Sequence, residues 1–172
     1  QNFGYPVFNA DHEVEKLYRQ NKNVFYKLTK KLPKYIHSFP IDKKEIVNAI
    51  LSNKNNLNKI VKIVHFEIRK KMNSFIKKNN NKKIVILDIP LLLENKINKK
   101  KDILVYVQSN KSSILKRLKK RKNFNFKLFK KFKAIQYSSI YKKKKSHFIL
   151  KNNFTKKSVN DGINKILNKL DL

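Results

Sequence analysis

Ile84-Val85-Ile86-Leu87-Asp88-Ile89-Pro90 and Ile103-Leu104-Val105-Tyr106-Val107 are short runs of β-branched and apolar residues, interrupted only by Asp88. Lys and Asn residues precede the first run, and a proline closes it. Neither run alternates apolar with polar, so each predicts a central strand buried on both faces, the habit of a parallel sheet. Toward the N-terminus, Tyr5–Asp11 (YPVFNAD) is a further apolar run with Pro6 near its start, and predicts a buried strand ending in a polar loop. Toward the C-terminus, His147–Leu150 (HFIL) is another core-strand candidate, followed by Asn152-Asn153.

Helical spacing fills the intervals. Val14, Leu17 and Tyr18 fall three and four apart, as do Ile46, Val47, Ile50 and Leu51. Leu57, Ile60, Val61, Val64, Ile68, Met72 and Phe75 continue as a longer amphipathic helix. Ile114, Leu115 and Leu118 predict a helix capped by Ser109 or Asn110, and Phe126, Phe129, Phe132 and Ile135 another. Val159, Ile163, Ile166, Leu167 and Leu170 close the chain as a helix despite Gly162. Strands alternating with helices predict a layered α/β fold, and 172 residues suit a single domain, 1–172.

Composition narrows the chemistry. With no cysteine, the chain has no disulfide framework, no thiolate nucleophile and no Cys-based zinc site. No apolar run approaches the ~20 residues that span a bilayer. The opening residues lack a basic head followed by an apolar stretch, so no signal peptide is read there and a cytoplasmic location is expected. The chain starts at Gln1 rather than Met, from which a missing upstream segment is expected.

The formal net charge is +32, from 43 Lys plus Arg against 11 Asp plus Glu. Only four of the cations are arginines: Arg19, Arg69, Arg117 and Arg121. The lysines are spread along the whole chain among Asn, Ile and Phe, residues that share A- and T-rich codons. That pattern reads as drift in base composition more than as a nucleic-acid partner, whose readers favour clustered cations and Arg. Where lysine has replaced arginine wherever a simple positive charge suffices, surviving arginines mark positions that need a planar fork of donors.

Several residues stand at positions that carry chemistry in α/β folds. Asp11, at the end of a predicted strand, either takes a proton or orients a metal there, or caps the following helix. Asp88 lies near the end of IVILD, where phosphate-binding folds keep a magnesium-facing carboxylate, or where backbone donors satisfy it. Arg117 and Arg121, four apart, project from one helix face, either as two forks converging on a phosphoryl group or as a solvated stripe. His65 and Arg69 repeat that spacing on the long helix. The four histidines are scattered, so no transition metal is expected.

In order and interval these residues resemble the dephospho-CoA kinase family, across nearly the whole chain. Gly4–Asp11 is similar to the family's glycine, strand and Asp-Ala-Asp, with Asn9 in place of the first Asp. Ile41-Asp42-Lys43 matches its Ile-Asp-Arg, and His65–Arg69 its His-Pro-x-x-Arg, with Phe66 replacing the proline. Pro-Leu-Leu-x-Glu is complete at Pro90–Glu94, and the lid Arg-x-x-x-Arg at Arg117 and Arg121, with Ile114 replacing a glutamine. Gln136, Lys142 and Asn152-Asn153 also match, with Lys151 and Phe154 replacing the flanking Asp and Gly.

The resemblance implies a P-loop kinase fold, with a helical acceptor-binding insertion about residues 40–80 and a lid about 111–140. It implies phosphorylation of the ribose 3′-hydroxyl of dephospho-CoA by ATP, with Mg²⁺ accompanying the nucleotide. Asp11 would be the general base, and Arg117 and Arg121 would close over the phosphoryl group. His65, Arg69, Pro90 and Glu94 would bind the acceptor. Arg117, Asn152 and Asn153 would serve ATP, and Asp88 would act on the metal through water. The expected state is a monomer or weak homo-oligomer, with no membrane and no specific nucleic acid.

One departure is large. Glycine occurs only at positions 4 and 162, so the family's G-x-x-x-x-G-K-[ST] loop is absent from these residues, with the central strand that carries it. The expectation is a fragment whose sheet has an empty strand slot beside IVILDIP and ILVYV, and which does not turn over alone. The rival readings are a basic RNA-binding or ribosome-associated protein and a kinase-like fold without activity.

Overall fold

Two pairs of parallel strands set the architecture. In the computed structural model, which describes residues 3–171, β1 (Val7–Asn9) runs parallel to β2 (Ile86–Asp88), with Asn9 registered opposite Asp88. β3 (Val105–Gln108) runs parallel to β4 (Phe148–Lys151), with Val107 opposite Leu150. The chain divides into two compact units, residues 1–90 and 91–172, and each holds one of these pairs.

In the first unit, α1 (Ala10–Gln20) and α2 (Lys22–Lys31) follow β1, and α3 (Lys43–Ser52) and α4 (Lys54–Lys78) lead to β2. Each helix starts where a short polar side chain takes up a free N–H: Asn9, Asn21, Asp42 and Asn53 cap the four in turn. α4 is the spine, and α1, α2 and α3 all pack on it. Leu17, Val24, Leu28 and Ile36 are sealed from solvent, and Ile60, Val64, Ile68 and Met72 line α4's inward face at steps of four. Phe8 of β1 meets Phe75 of α4 with ring centroids 5.6 Å apart, which ties the end of the strand to the helices.

The second unit opens with turns over residues 90–96, where Leu91 and Lys96 take positive φ. After β3 come α5 (Lys111–Lys119), α6 (Phe126–Ala134) and α7 (Ser139–Lys145); after β4 comes α8 (Lys156–Lys169). α8 packs on β4, and glycine at 162 permits the approach, since a Cβ there would collide with Leu150 Cδ1.

The expectation of strands buried on both faces is corrected. Ile86, Val105 and Val107 are 41%, 42% and 53% exposed. Among the described residues β2 pairs only with β1 and β3 only with β4, in two sheets of two strands, so each of the runs IVILDIP and ILVYV has a strand neighbour on one side. A strand buries both faces only where layers cover it, and its residue types alone do not supply them. Two helices escaped the sequence reading. The apolar spacing of α2 is short and sits among lysines, and α7 is SIYKKKK, a run of like charge with no apolar period.

Candidate active-site groups

At the C-terminal ends of β1 and β2 the first unit gathers three polar side chains. Asn9 caps α1, its Oδ1 accepting the His12 N–H at 2.8 Å, while its Nδ2 donates to Asp88 Oδ2 at 2.8 Å. Asp11 lies in the first turn of α1. Burial raises its pKa above the usual Asp value, and the negative charge of Asp88 raises it further. The helix is therefore capped by Asn9, which leaves the Asp11 carboxylate free of that task. An amide at position 9 suits a place beside two carboxylates, because it donates to Asp88 where a third carboxylate would repel it.

On α4, His65 and Arg69 sit one turn apart, and the His65 pKa is lowered by burial and then by the Arg69 charge. Asp42, of the Ile41-Asp42-Lys43 segment, caps α3 by accepting the Lys44 N–H at 2.8 Å. Lys43 Nζ bonds Glu15 Oε1 at 2.9 Å. Glu13 joins α1 to α4 through Lys71 at 2.8 Å and also holds Lys16 at 2.9 Å. Burial opposes its charge, but those two ammonium groups outweigh burial and lower its pKa.

In the second unit, Glu94 Oε1 accepts the Lys142 ammonium and the Tyr137 N–H, each at 2.8 Å, and Oε2 is buried without a partner. Burial works against the ionised form. The Lys142 ammonium and the backbone N–H groups of Glu94 and Tyr137 prevail, so the pKa falls below the usual Glu value. Arg117, on α5, lays its guanidinium over the Phe154 ring, 4.5 Å from the centroid. Asn152 Oδ1 accepts the Phe154 N–H at 2.7 Å, and Asn153 Oδ1 accepts the Thr155 N–H at 3.1 Å.

The sequence profile of the dephospho-CoA kinase family matches residues 1–158. The chain belongs to the dephospho-CoA kinase family. The dephospho-CoA kinase of Wolbachia pipientis is 29% identical over 174 residues, spanning 100% of this chain and 89% of that protein. That of Rickettsia felis is 32% identical over 147 residues, 86% of this chain and 75% of that one. Among solved structures, TT1252 of Thermus thermophilus matches with a TM-score of 0.74 at 20% identity, over 98% of this chain and 86% of that one. Dephospho-CoA kinase from Campylobacter jejuni matches with a TM-score of 0.61 at 20% identity, over the same shares of the two chains. The fold is that of these two solved structures.

Against the dephospho-CoA kinase reading of the sequence, Asp11 and Asp88 fall together in the first unit, with Asn9 as the bridge to Asp88. Arg117 and Arg121 do not share a helix face: α5 ends at Lys119, and Arg121 lies in the turn beyond it. The like charges of Lys116, Arg117, Lys119, Lys120 and Arg121 discourage another helical turn. Glu94 is engaged by Lys142 and Tyr137. Phe154 was noted only as a replacement. The signal that marks it is an aromatic at a position of positive φ, where the matching family residue is glycine.

The one acidic side chain that the family resemblance offers to a Mg²⁺ accompanying ATP is Asp88, at the end of β2. No cluster of three acidic or His ligands occurs among the described residues. Mg²⁺ commonly takes one or two carboxylates, with water and substrate phosphates completing its shell.

Proposed function

We propose that this chain supplies the general-base, acceptor-binding and lid residues for transfer of the γ-phosphoryl group of ATP to the ribose 3′-hydroxyl of dephospho-CoA, giving CoA and ADP. The observation that carries the reading is the Asp11 carboxylate: not used as a cap, and made more basic by partial burial and by the Asp88 charge. A carboxylate of raised pKa is a stronger general base in its ionised form.

In this proposal the 3′-oxygen attacks the γ-phosphorus and the bond to the β–γ bridging oxygen breaks, with ADP leaving. The hydroxyl proton passes to Asp11. His65 and Arg69 hold the acceptor nucleotide, and Pro90 and Glu94 act on the acceptor side by fixing the turn at 90–96. Arg117 and Arg121 neutralise charge on the transferring group, and Asn152 and Asn153 border the adenine. Asp88 would hold the Mg²⁺ through water, and the metal would supply charge neutralisation at the phosphates.

Formation of CoA from ATP and dephospho-CoA tests this. Asp11→Asn is expected to lower kcat by about 10²–10⁴-fold, the usual worth of a general base. Arg117→Lys is expected to lower it too, because an ammonium cannot present the same fork; unchanged turnover would remove Arg117 from the lid. The 172 residues contain glycine only at 4 and 162 and so form no backbone cradle for the β- and γ-phosphates. By themselves they are expected to bind ATP weakly and make no CoA, so the assay requires a phosphate-cradling loop in addition to them.

A further inference from the structure

Phe154 sits at φ +69°, in the left-handed region that a bulky aromatic rarely occupies. The conformation is held from both sides. Asn152 Oδ1 takes the Phe154 N–H at 2.7 Å, and Asn153 Oδ1 takes the Thr155 hydroxyl at 2.8 Å. Thr155 in turn caps α8, its hydroxyl accepting the Ser158 N–H at 3.2 Å. Two consecutive side-chain turns thus fix the backbone at the end of β4 in a shape that costs energy and leaves the ring 38% exposed. An exposed aromatic held at such a position by its neighbours calls for a use.

Its partner supplies one. The Arg117 guanidinium carbon lies 4.5 Å from the ring centroid. A guanidinium held over a ring face keeps its N–H donors for other partners, while the contact removes freedom from a long side chain. A lysine in the same place would gain the attraction but offer no oriented fork. In a chain with four arginines among 43 cations, arginine stands where orientation matters.

We propose that Phe154 is a positioning residue: its ring is a shelf that fixes the Arg117 guanidinium so that the in-plane donors meet phosphoryl oxygens. The proposal deepens the assignment of Arg117 to the transferring group and rests on it.

Four arginines give an uncrowded set of Nε–Hε resonances in the full 172-residue chain, assigned by single Arg→Lys variants. The Arg117 signal is expected to be displaced by the ring current of Phe154, unlike those of Arg19, Arg69 and Arg121, and to move on titration with inorganic pyrophosphate. Phe154→Leu should abolish the displacement and raise the half-saturating pyrophosphate concentration about 2- to 5-fold, the worth of one exposed cation–π contact. Phe154→Tyr, which keeps a ring, should restore both. Phe154→Gly should lose the displacement while accepting the positive φ without strain. An Arg117 signal in the wild type without a ring-current displacement overturns the shelf. Unchanged half-saturation in Phe154→Leu overturns its role in positioning. If the displacement is present but pyrophosphate moves no arginine signal in the wild type, the Arg117 donors do not meet phosphate oxygens in this chain, and the phosphate role of Phe154 fails.

Discussion

The two units dispose of their apolar residues in opposite ways. In residues 1–90 the buried apolar residues run from Phe8 to Met72, most of them on four helices. In residues 91–172 Leu150 is the one buried apolar residue among those described, while Ile103, Val105, Val107, Ile140 and Ile149 are exposed. Helices packed on helices can seal a core with one stripe each. A parallel pair of strands has two faces and two edges to cover, and here β4 has α8 on it while β3 has one strand neighbour. The second unit instead holds its shape by particular polar devices: the Glu94 ion pair, the Asn152 and Asn153 turns, and Arg117 on Phe154. The first unit is stabilised by area, the second by geometry.

The strongest way to break that contrast is to delete matched apolar groups. Leu28→Ala, at a fully buried position, is expected to cost about 3–4 kcal/mol of unfolding free energy as a cavity opens among α2 and its neighbours. Val107→Ala, on β3 and exposed, should cost less than about 0.5 kcal/mol. Urea unfolding of both variants decides the matter; comparable losses would mean that Val107 is buried in solution.

Next in size is the ion pair. The Glu94 side chain is 8% exposed, and Glu94→Gln keeps an acceptor for the Tyr137 N–H while leaving Lys142 without its counter-charge. A loss of about 1–2 kcal/mol is expected, below the penalty for a fully buried pair because Lys142 is partly solvated. The pH dependence has a fixed sign. The folded pKa of Glu94 is depressed, so its contribution is present above the usual Glu value of about 4.3 and lost as pH falls through the folded pKa. Glu94→Gln should therefore flatten the acid limb of the second unit's stability, followed by amide exchange at β4. An unchanged limb would show that the pair contributes nothing.

What the sequence made legible follows from which forces act locally. The strands were visible because β-branched runs are a property of single segments, and α4 and α8 because their apolar periods are long. Burial was not legible: Val105 and Val107 look the same in a run whether or not a layer covers them. Among the site groups, Asp11 and Asp88 could be read as carboxylates near strand ends. That Asn9 rather than Asp11 caps α1 depends on one residue of offset, inside the uncertainty of any helix start. The Glu94–Lys142 pair joins segments far apart in sequence, and no local pattern announces it. Phe154 was hidden for a different reason. An aromatic in a loop has many uses, and only its φ and the guanidinium above it select one.

The smallest effect concerns the two carboxylates of the first unit. Asp88→Asn keeps an oxygen to accept from Asn9 Nδ2 but removes the negative charge, which is the second cause of the raised Asp11 pKa. The Asp11 pKa, followed by carboxyl ¹³C shifts, should move down toward the usual value without reaching it, because burial, the larger cause, remains. For an acid whose folded pKa is raised, the stabilising contribution is complete below the unfolded value of about 3.9 and is lost as pH rises through the folded pKa. Asp11 therefore weighs against folding at neutral pH, the reverse of Glu94, and Asp88→Asn should lighten that load by no more than about 0.5 kcal/mol, as for other exposed sites. Glu13, paired with Lys71 and Lys16, shares the sign of Glu94, so the distinction lies in the use of the carboxylate and not in the unit that holds it. If the Asp11 pKa fails to fall in Asp88→Asn, the two groups do not interact in solution and the basicity assigned to Asp11 has burial as its only source.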